Sequence, residues 1–203
     1  MKLTRRTFVA ASTAGVVGVA GCLGGNGFTL EGESPLPAPV AGDPDADLTV
    51  KVFEDFACPA CAQFKLQLYP QLERSYVEPG AIRYEHHDFP IPVDEQWSWA
   101  IAGAARSVQE QGGDEEFWSF TGEVYRHQND YSYDVVESVA AEVGVDGDRA
   151  RNDAEDGTYR SALEAAADRA GDAGVQGTPT VVVDGQIVDS DPASIMDAIE
   201  DAL

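Results

Sequence analysis

The stretch that decides the fold is residues 48–61, with the sequence LTVKVFEDFACPAC. Residues 48–53 are mostly apolar or β-branched, which predicts a buried strand. The stretch ends in Cys58-Pro59-Ala60-Cys61, and apolar residues at every fourth position downstream predict a helix to about Tyr76. Pro59 suits the first turn of such a helix, where its missing N–H removes no hydrogen bond. The two cysteines are therefore expected where a strand gives way to a helix.

The spacing of Cys58 and Cys61 at a helix start brings both sulfurs to one face, close enough to form a disulfide. The first sulfur lies near unpaired backbone N–H groups and the positive end of the helix dipole, which favour an anion. Such a position lowers a thiol pKa from ~8.5 into the range ~3.5–7.5. Taken alone, the motif leaves other interpretations open. It is also compatible with half of a zinc site, although no second CxxC supplies the remaining ligands, with a structural disulfide, and with chance.

The rest of the chain also alternates between predicted strands and helices. Glu78-Pro79-Gly80 is a turn, and Asp184-Gly185 is a two-residue hairpin signal. Apolar residues at helical spacing dominate the long middle region. The predicted strands lie within residues 48–53, 81–88, 177–183 and 186–188, and the predicted helices are residues 59–76, several within 94–156, 158–170 and 192–202.

Residues 47–203 resemble the DsbA-like branch of the thioredoxin superfamily. The resemblance rests on residues 53–61, on a helical insertion at about residues 91–157, and on residues 175–180, VQGTPT. It implies an α/β, thioredoxin-like fold with a helical insertion domain, and a redox-active Cys58–Cys61 disulfide that needs no other cofactor. It also implies a cis peptide bond between Thr178 and Pro179 that faces the cysteines. In this family the backbone before the cis-proline pairs with the substrate chain, and the insertion caps the site and helps to shape a peptide groove.

Two departures from the family bear on the chemistry. The family often carries a buried carboxylate six residues before the first cysteine, where this chain has Val52. Proton transfer to or from Cys61 then needs another group, and we expect Glu54 or Asp55, with a solvated or helix-capping role as the alternative for Asp55. Between the cysteines, Pro59 and Ala60 stand without the histidine of strongly oxidising relatives, which implies a milder oxidant.

The N-terminus has the features of an export signal. Residues 1–21 contain three basic residues, among them the pair Arg5-Arg6, followed by a short apolar stretch. The pair resembles a twin-arginine signal, and residues 19–22, VAGC, resemble a lipobox that would make Cys22 the lipidated first residue. The alternative for Cys22 is a small residue in a hydrophobic stretch. Residues 22–46 are rich in Gly and Pro and are predicted to be a flexible tether.

The composition is strongly acidic, with 13 Lys and Arg against 36 Asp and Glu and a formal net charge of −23. Because phosphate binding needs clustered basic residues, nucleic acid is excluded as an expected partner. A hydrophobic fraction of 43% excludes a wholly disordered acidic protein. The acidic residues resemble the surface of halophilic, haloarchaeal proteins, in which carboxylates hold water in strong salt. An ordinary acidic surface is the alternative.

The remaining candidate residues are aromatic. His86 and His87 adjoin on one predicted strand and point to opposite faces, so we expect solvated or strand-end histidines rather than a metal site. Trp97, Trp99 and Trp118 are expected in the core of the helical region rather than in a ligand platform.

Two functions follow. The favoured one is a thiol:disulfide oxidoreductase at the extracytoplasmic face of the cell membrane, anchored through the Cys22 lipid. It would act on thiols and disulfides of exported proteins and be recycled by a membrane redox partner. The alternative is a membrane-tethered protein that binds and transfers copper or zinc through the two thiols and a histidine. The chain has only two methionines, whereas copper carriers of this kind are often Met-rich.

Overall fold

The computed structural model describes residues 27–32, 34–91 and 93–203. The predicted signal peptide, residues 1–21, and the predicted lipidation site Cys22 lie outside these residues. The strands are β1 (Val40–Gly42), β2 (Thr49–Glu54), β3 (Arg83–Asp88), β4 (Thr180–Val183) and β5 (Gln186–Val188). The helices are α1 (Pro59–Gln63), α2 (Tyr69–Leu72), α3 (Trp97–Gly112), α4 (Asp114–Val124), α5 (Tyr133–Glu142), α6 (Gly147–Asp156), α7 (Arg160–Asp172) and α8 (Pro192–Ala202). Among the residues described, no helix combines the length and the apolar character that crossing a bilayer requires.

The five strands form one sheet in the order β1-β3-β2-β4-β5. The central strand β2 pairs in parallel with β3 and antiparallel with β4, and its apolar side chains are buried. β4 and β5 form the predicted hairpin. Asp184 and Gly185 have φ of 45° and 71°, the left-handed conformation that a type I′ turn needs at both positions. The mixed sheet with its packed helices confirms the predicted α/β class.

The helix after the cysteine pair departs from the regular helix predicted to Tyr76. Two π-helical turns, Phe64–Leu68 and Glu73–Val77, flank α2. Pro70 has no N–H to bond the carbonyl four residues earlier, so a helix that continues through it must adjust its hydrogen-bond ladder locally. The predicted apolar face is nevertheless buried, including Phe64 and Leu72.

The predicted helical region lies between β3 and α7 and consists of α3 to α6 with a 3₁₀ turn at Tyr125–His127. These helices fall within the predicted insertion, residues 91–157. Phe56 and Cys61 belong to the same hydrophobic core as the insertion helices, and the three tryptophans pack against that core as expected. A second core lies between the sheet, α2 and α8. The cysteine pair therefore lies where the insertion meets the sheet.

The prediction of a flexible tether over residues 22–46 is wrong for the described part of that segment, which packs against the sheet and α7. β1 pairs antiparallel with β3, and Phe28 contacts Phe53 edge-on with ring centroids 5.4 Å apart. Arg169 donates hydrogen bonds to the carbonyl oxygens of Glu31 and Gly32. A Gly- and Pro-rich composition predicts poor burial of side chains. It does not prevent backbone groups from completing the open edge of a sheet, which β3 would otherwise expose.

Candidate active site

Cys58 and Cys61 begin the helix that follows β2, as the sequence predicts. Cys58 is the N-cap residue of α1, in an extended conformation with φ −76° and ψ 120°, and proline occupies the first turn. Both cysteines are free thiols. Cys58 is 8% exposed, whereas Cys61 is completely buried. Cys58 is therefore the sulfur that a protein substrate can reach.

The pKa values of the two sulfurs are shifted in opposite directions. A hydrogen bond from the Cys61 thiol is the main cause that lowers the pKa of Cys58 to about 5; burial opposes it, and Thr178 and two backbone N–H groups add to it. Burial raises the pKa of Cys61 far above its usual range, and the hydrogen bond to Cys58 and the negative charge of Glu54 raise it further. The sequence predicts that the helix start lowers the pKa of Cys58. In the structure, the hydrogen bond from the Cys61 thiol has the larger effect on that pKa. At neutral pH the pair holds a Cys58 thiolate and a Cys61 thiol.

The loop that faces Cys58 has the cis peptide bond that the resemblance implies, between Thr178 and Pro179. The Cys58 sulfur lies 3.4 Å from the carbonyl oxygen of Thr178. β4 begins directly after this loop and pairs with β2, with Thr180 opposite Phe53. The sheet thereby places the Thr178 backbone beside the sulfur that meets the substrate.

A cavity of about 340 Å³ lies between the active-site helix and the cis-proline loop. Ala60 and Pro179 form part of its wall, and the helix adds the amide side chains of Gln63, Gln67 and Gln71. Pro59 and Ala60, which lie between the two cysteines, are both exposed. No described residue of 91–157 lines this cavity, so the insertion does not form its wall.

The insertion instead holds the loop that precedes Cys58. The Gln128 side-chain amide donates hydrogen bonds to the carbonyl oxygens of Phe56 and Cys58, both at 2.9 Å. The Tyr131 hydroxyl donates to the same Phe56 carbonyl, also at 2.9 Å. Sequence reasoning missed both residues. An isolated amide and an isolated phenol some 70 positions from the motif form no recognisable pattern.

Asp55 is buried, at 1% exposure, and shapes the same loop. Its carboxylate accepts hydrogen bonds from the backbone N–H groups of Ala57 at 2.7 Å and Ile91 at 2.9 Å. Burial raises the pKa of Asp55 to about 6, against the lowering effect of these hydrogen bonds. The alternative of a solvated or helix-capping Asp55 is therefore wrong, since Cys58 is the N-cap residue and has no side-chain cap.

Glu54 is the carboxylate behind Cys61. It is 2% exposed, and its negative charge contributes to the raised pKa of Cys61. Because side chains alternate along a strand, Glu54 lies on the same face of β2 as Val52, the position of the family's carboxylate. Its Oε2 atom contacts the His86 Nδ1 atom at 3.2 Å, and its Oε1 atom has no hydrogen-bond partner. Of the two residues proposed for proton transfer, Glu54 is the one whose charge acts on Cys61.

His86 connects Glu54 to a buried ion pair. Its Nε2 atom lies 3.2 Å from Asp88 Oδ1, and Arg106 contacts Asp88 Oδ2 at 2.5 Å. Burial lowers the pKa of His86, but the hydrogen bonds to Asp88 and Glu54 outweigh it and raise the pKa overall. The prediction of solvated histidines is wrong for His86, which is 1% exposed.

His87, on the opposite face of β3, differs from its neighbour. It bonds Glu85 at 3.0 Å and stacks on Phe53, with ring centroids 4.8 Å apart. The two histidines do point to opposite faces, as predicted. In the part of the chain that the structure describes, no three His, Cys, Asp or Glu side chains are arranged to hold a metal ion, so no observation favours the metal-transfer alternative.

The chain is similar in sequence to known proteins. The sequence model of the family described as Thioredoxin matches residues 36–201, which include β1. The chain is 29% identical over 169 residues to the probable disulfide bond formation protein D of Bacillus cereus, covering 80% of this chain and 77% of that protein. It is 23% identical over 156 residues to disulfide bond formation protein D of Bacillus subtilis, covering 74% and 69%.

Solved structures show the same fold. The crystal structure of oxidised BdbD from Bacillus subtilis superposes with a TM-score of 0.74 at 23% identity, covering 81% of this chain and 91% of that one. The crystal structure of Chlamydia trachomatis DsbA superposes with a TM-score of 0.71 at 17% identity, covering 81% and 90%.

Proposed function

The chain belongs to the thioredoxin family, and from that premise we propose its function. It is a DsbA-like protein-disulfide oxidoreductase that exchanges its Cys58–Cys61 dithiol or disulfide with the thiols and disulfides of client proteins. The observation that carries this function is the asymmetry of the pair. Cys58 is 8% exposed and has a pKa of about 5, while Cys61 is completely buried beside it as a thiol.

We propose that the oxidising direction, in which client proteins gain disulfides, is the working one. A client thiolate attacks Cys58 Sγ, the Cys58–Cys61 bond breaks, and Cys61 leaves with the electron pair and takes a proton. A second client thiolate attacks the client sulfur of the mixed disulfide, which forms the client disulfide and releases Cys58 as a thiolate. The client loses two electrons and the protein gains them. A thiol of low pKa is a good leaving group, so the Cys58 thiolate favours this direction.

The strength of the oxidant follows from the same pKa. A value of about 5 for Cys58 lies between ~3.5 for strongly oxidising relatives and ~7 for thioredoxin. The reduction potential of the Cys58–Cys61 pair is therefore expected between ~−120 and ~−270 mV.

The direct test mixes the oxidised protein with a reduced, unfolded client that contains two cysteines. We expect stoichiometric formation of the client disulfide, measured by mass after alkylation of the remaining thiols. Cys58→Ser is the control that should transfer nothing. An oxidised wild-type protein that leaves the client reduced would overturn the proposed function.

The location is a further part of the proposal. We propose that residues 1–21 direct export and that the Cys22 lipid holds the protein at the extracytoplasmic face of the cell membrane, where exported proteins are its clients. Since each turnover leaves the cysteine pair reduced, an oxidant must accept two electrons to restore the disulfide, and we propose a membrane redox partner for this role. Cys22→Ser should leave the chain unprocessed or release it from membranes, as measured by fractionation. Unchanged processing and membrane association would contradict the anchor.

We also propose that the protein works in strong salt. A net charge of −23 destabilises the compact state by repulsion when screening is weak. The unfolding temperature should therefore rise steeply between tens of millimolar and molar KCl. An unfolding temperature that does not change with KCl concentration would favour the ordinary acidic surface.

A further inference from the structure

The carboxylate behind Cys61 has one direct side-chain partner. Within the described residues, His86 is the only side chain that hydrogen-bonds Glu54, through Oε2. The other oxygen, Oε1, is buried with no partner. Lys65 is also buried nearby, but its ammonium lies 3.8 Å and 4.2 Å from the ring centroids of Tyr69 and Trp118 and makes no hydrogen bond. The position of the Glu54 carboxylate therefore depends on His86.

His86 is itself held rigidly. The Asp88 carboxylate contacts the Nε2 atom of His86. Two nitrogens of the Arg106 guanidinium contact Asp88 Oδ2, at 2.5 Å and 2.6 Å. Aromatic rings pack around the imidazole, with centroids 5.1 Å away for Phe117 and 5.6 Å for Phe56. Because both of its nitrogens are bonded and aromatic rings pack around it, the imidazole has one orientation.

The register of the sheet explains why an imidazole is needed there. Glu54 on β2 lies directly opposite Asp88 on β3, so two buried carboxylates are neighbours. Adjacent like charges repel strongly in an interior of low dielectric. A protonated His86 between them gives a chain of alternating sign, Glu54, His86, Asp88 and Arg106. The other titratable groups on which the Glu54 charge acts are Cys61, Lys65, Tyr69, Tyr84 and Tyr125.

We propose that His86 is a positioning residue for disulfide exchange: it fixes Glu54 behind Cys61 so that the free Oε1 oxygen exchanges a proton with the Cys61 thiol. This rests on the proposed function and adds to it the residue that sets the geometry of the base.

The proton transfer takes place in the mixed disulfide between Cys58 and a client. The Cys61 thiol gives its proton to the Glu54 carboxylate, and the resulting thiolate attacks Cys58 Sγ. The Cys58–Cys61 bond forms, the bond from Cys58 to the client breaks, and the client sulfur leaves as a thiolate with the electron pair. Cys61 is oxidised and the client sulfur is reduced. The reverse reaction returns the proton to Cys61 when a client thiolate expels it.

The test compares His86→Gln with His87→Gln, the same substitution one residue along β3 and on the opposite face. Reduced protein is mixed with saturating disulfide-linked peptide, and the unimolecular release of the peptide thiol is followed against pH. We expect His86→Gln to slow release at pH 7 roughly tenfold or more, since loss of a positioned base costs at least that much. The pH profile of release should also change, because the cation beside the Glu54 carboxylate is lost. His87→Gln should follow the wild type.

Two readouts separate this role from a general structural defect. The first attack by Cys58, measured as the bimolecular phase, and the titration of the Cys58 thiolate should be the same in all three proteins. Equal release rates and pH profiles for His86→Gln and His87→Gln would overturn the inference while leaving the proposed function intact. A wild type that shows no exchange at all would overturn both.

A measurement on the wild type keeps the inference testable if His86→Gln does not fold. The imidazole nitrogens of His86 should both carry protons at pH 7, and the Nδ1 resonance should shift when the Cys58–Cys61 disulfide is reduced. Nitrogen NMR of the labelled full chain detects both. An Nδ1 resonance that is identical in the oxidised and reduced proteins would contradict a link between His86 and Cys61.

Discussion

The solvent side and the interior side of the cysteine pair are opposite environments separated by one helical turn. On the solvent side, Cys58 lies at a helix start beside exposed Pro59 and Ala60, and hydrogen-bond donors lower its pKa to about 5. On the interior side, Cys61 lies in a hydrophobic core with a carboxylate behind it, and its pKa is raised. The comparison shows that position relative to the core, rather than the motif itself, assigns the two sulfurs their roles.

The largest expected effect tests that assignment directly. Cys58→Ser should abolish exchange, because the buried Cys61 cannot reach a client. Cys61→Ser should leave a reactive Cys58 that forms mixed disulfides and cannot resolve them internally. Covalent, reductant-sensitive adducts with client proteins should therefore accumulate in the Cys61→Ser variant only, as seen on non-reducing gels. Adducts on Cys61 in the Cys58→Ser protein would reverse the assignment.

The second effect concerns the buried ion pair on the interior side. Arg106→Ala leaves Asp88 buried without its cation, which costs ~3–5 kcal/mol when one partner of a buried pair is removed. Arg126→Ala breaks an exposed pair with Glu123 and is the control, expected to cost ~0–1 kcal/mol. Urea unfolding of both variants measures the difference. Similar costs for the two variants would mean that the buried Arg106–Asp88 pair stabilises the fold no more than a surface ion pair does.

A third effect uses pH, because folding lowers the pKa of Cys58. Such a group stabilises the fold above its unfolded pKa of ~8.5, and this stability is lost as pH falls through the folded value of about 5. Only the reduced protein has a Cys58 thiol to titrate. The unfolding temperature of the reduced protein should therefore fall relative to that of the oxidised protein between about pH 8 and pH 5.

The difference in unfolding temperature between the reduced and oxidised proteins is measured by thermal unfolding of both forms across this pH range. Because Cys58 is partly solvated, screening keeps the effect modest. Asp55, whose pKa is raised to about 6, is present in both forms and affects the comparison little. A constant difference between the two forms would show that Cys58 is not a thiolate at neutral pH.

The smallest expected effect lies on the solvent side, where the insertion holds the loop before Cys58. Tyr131→Phe removes one hydrogen bond to the Phe56 carbonyl and should cost ~0.5–1.5 kcal/mol in the free energy of unfolding. Tyr133→Phe, two residues away, removes only an exposed contact with Gln96 and serves as the matched control. If the two substitutions cost the same in denaturant unfolding, the insertion does not stabilise this loop through Tyr131.

By itself the sequence determined the features that depend on local interactions. The β-branched run before Cys58, Pro59 at the helix start, and Asp184-Gly185 in the hairpin each act through backbone preferences within a few residues. The resemblance to the thioredoxin superfamily added the cis bond at Pro179. These local signals were enough to predict the α/β class, the order of the elements after residue 47 and the cysteine pair.

Tertiary structure alone decided what depends on distant partners. Alternation predicts that His86 and His87 face opposite ways, yet only the packing of α3 and α4 on β3 makes His86 the buried one. The burial of Glu54 and Asp55, the contacts of Gln128 and the pairing of residues 40–42 with β3 were decided in the same way. Each depends on a contact between residues far apart in sequence. Local backbone preferences do not determine which face of a strand, or which open edge of a sheet, a distant segment will cover.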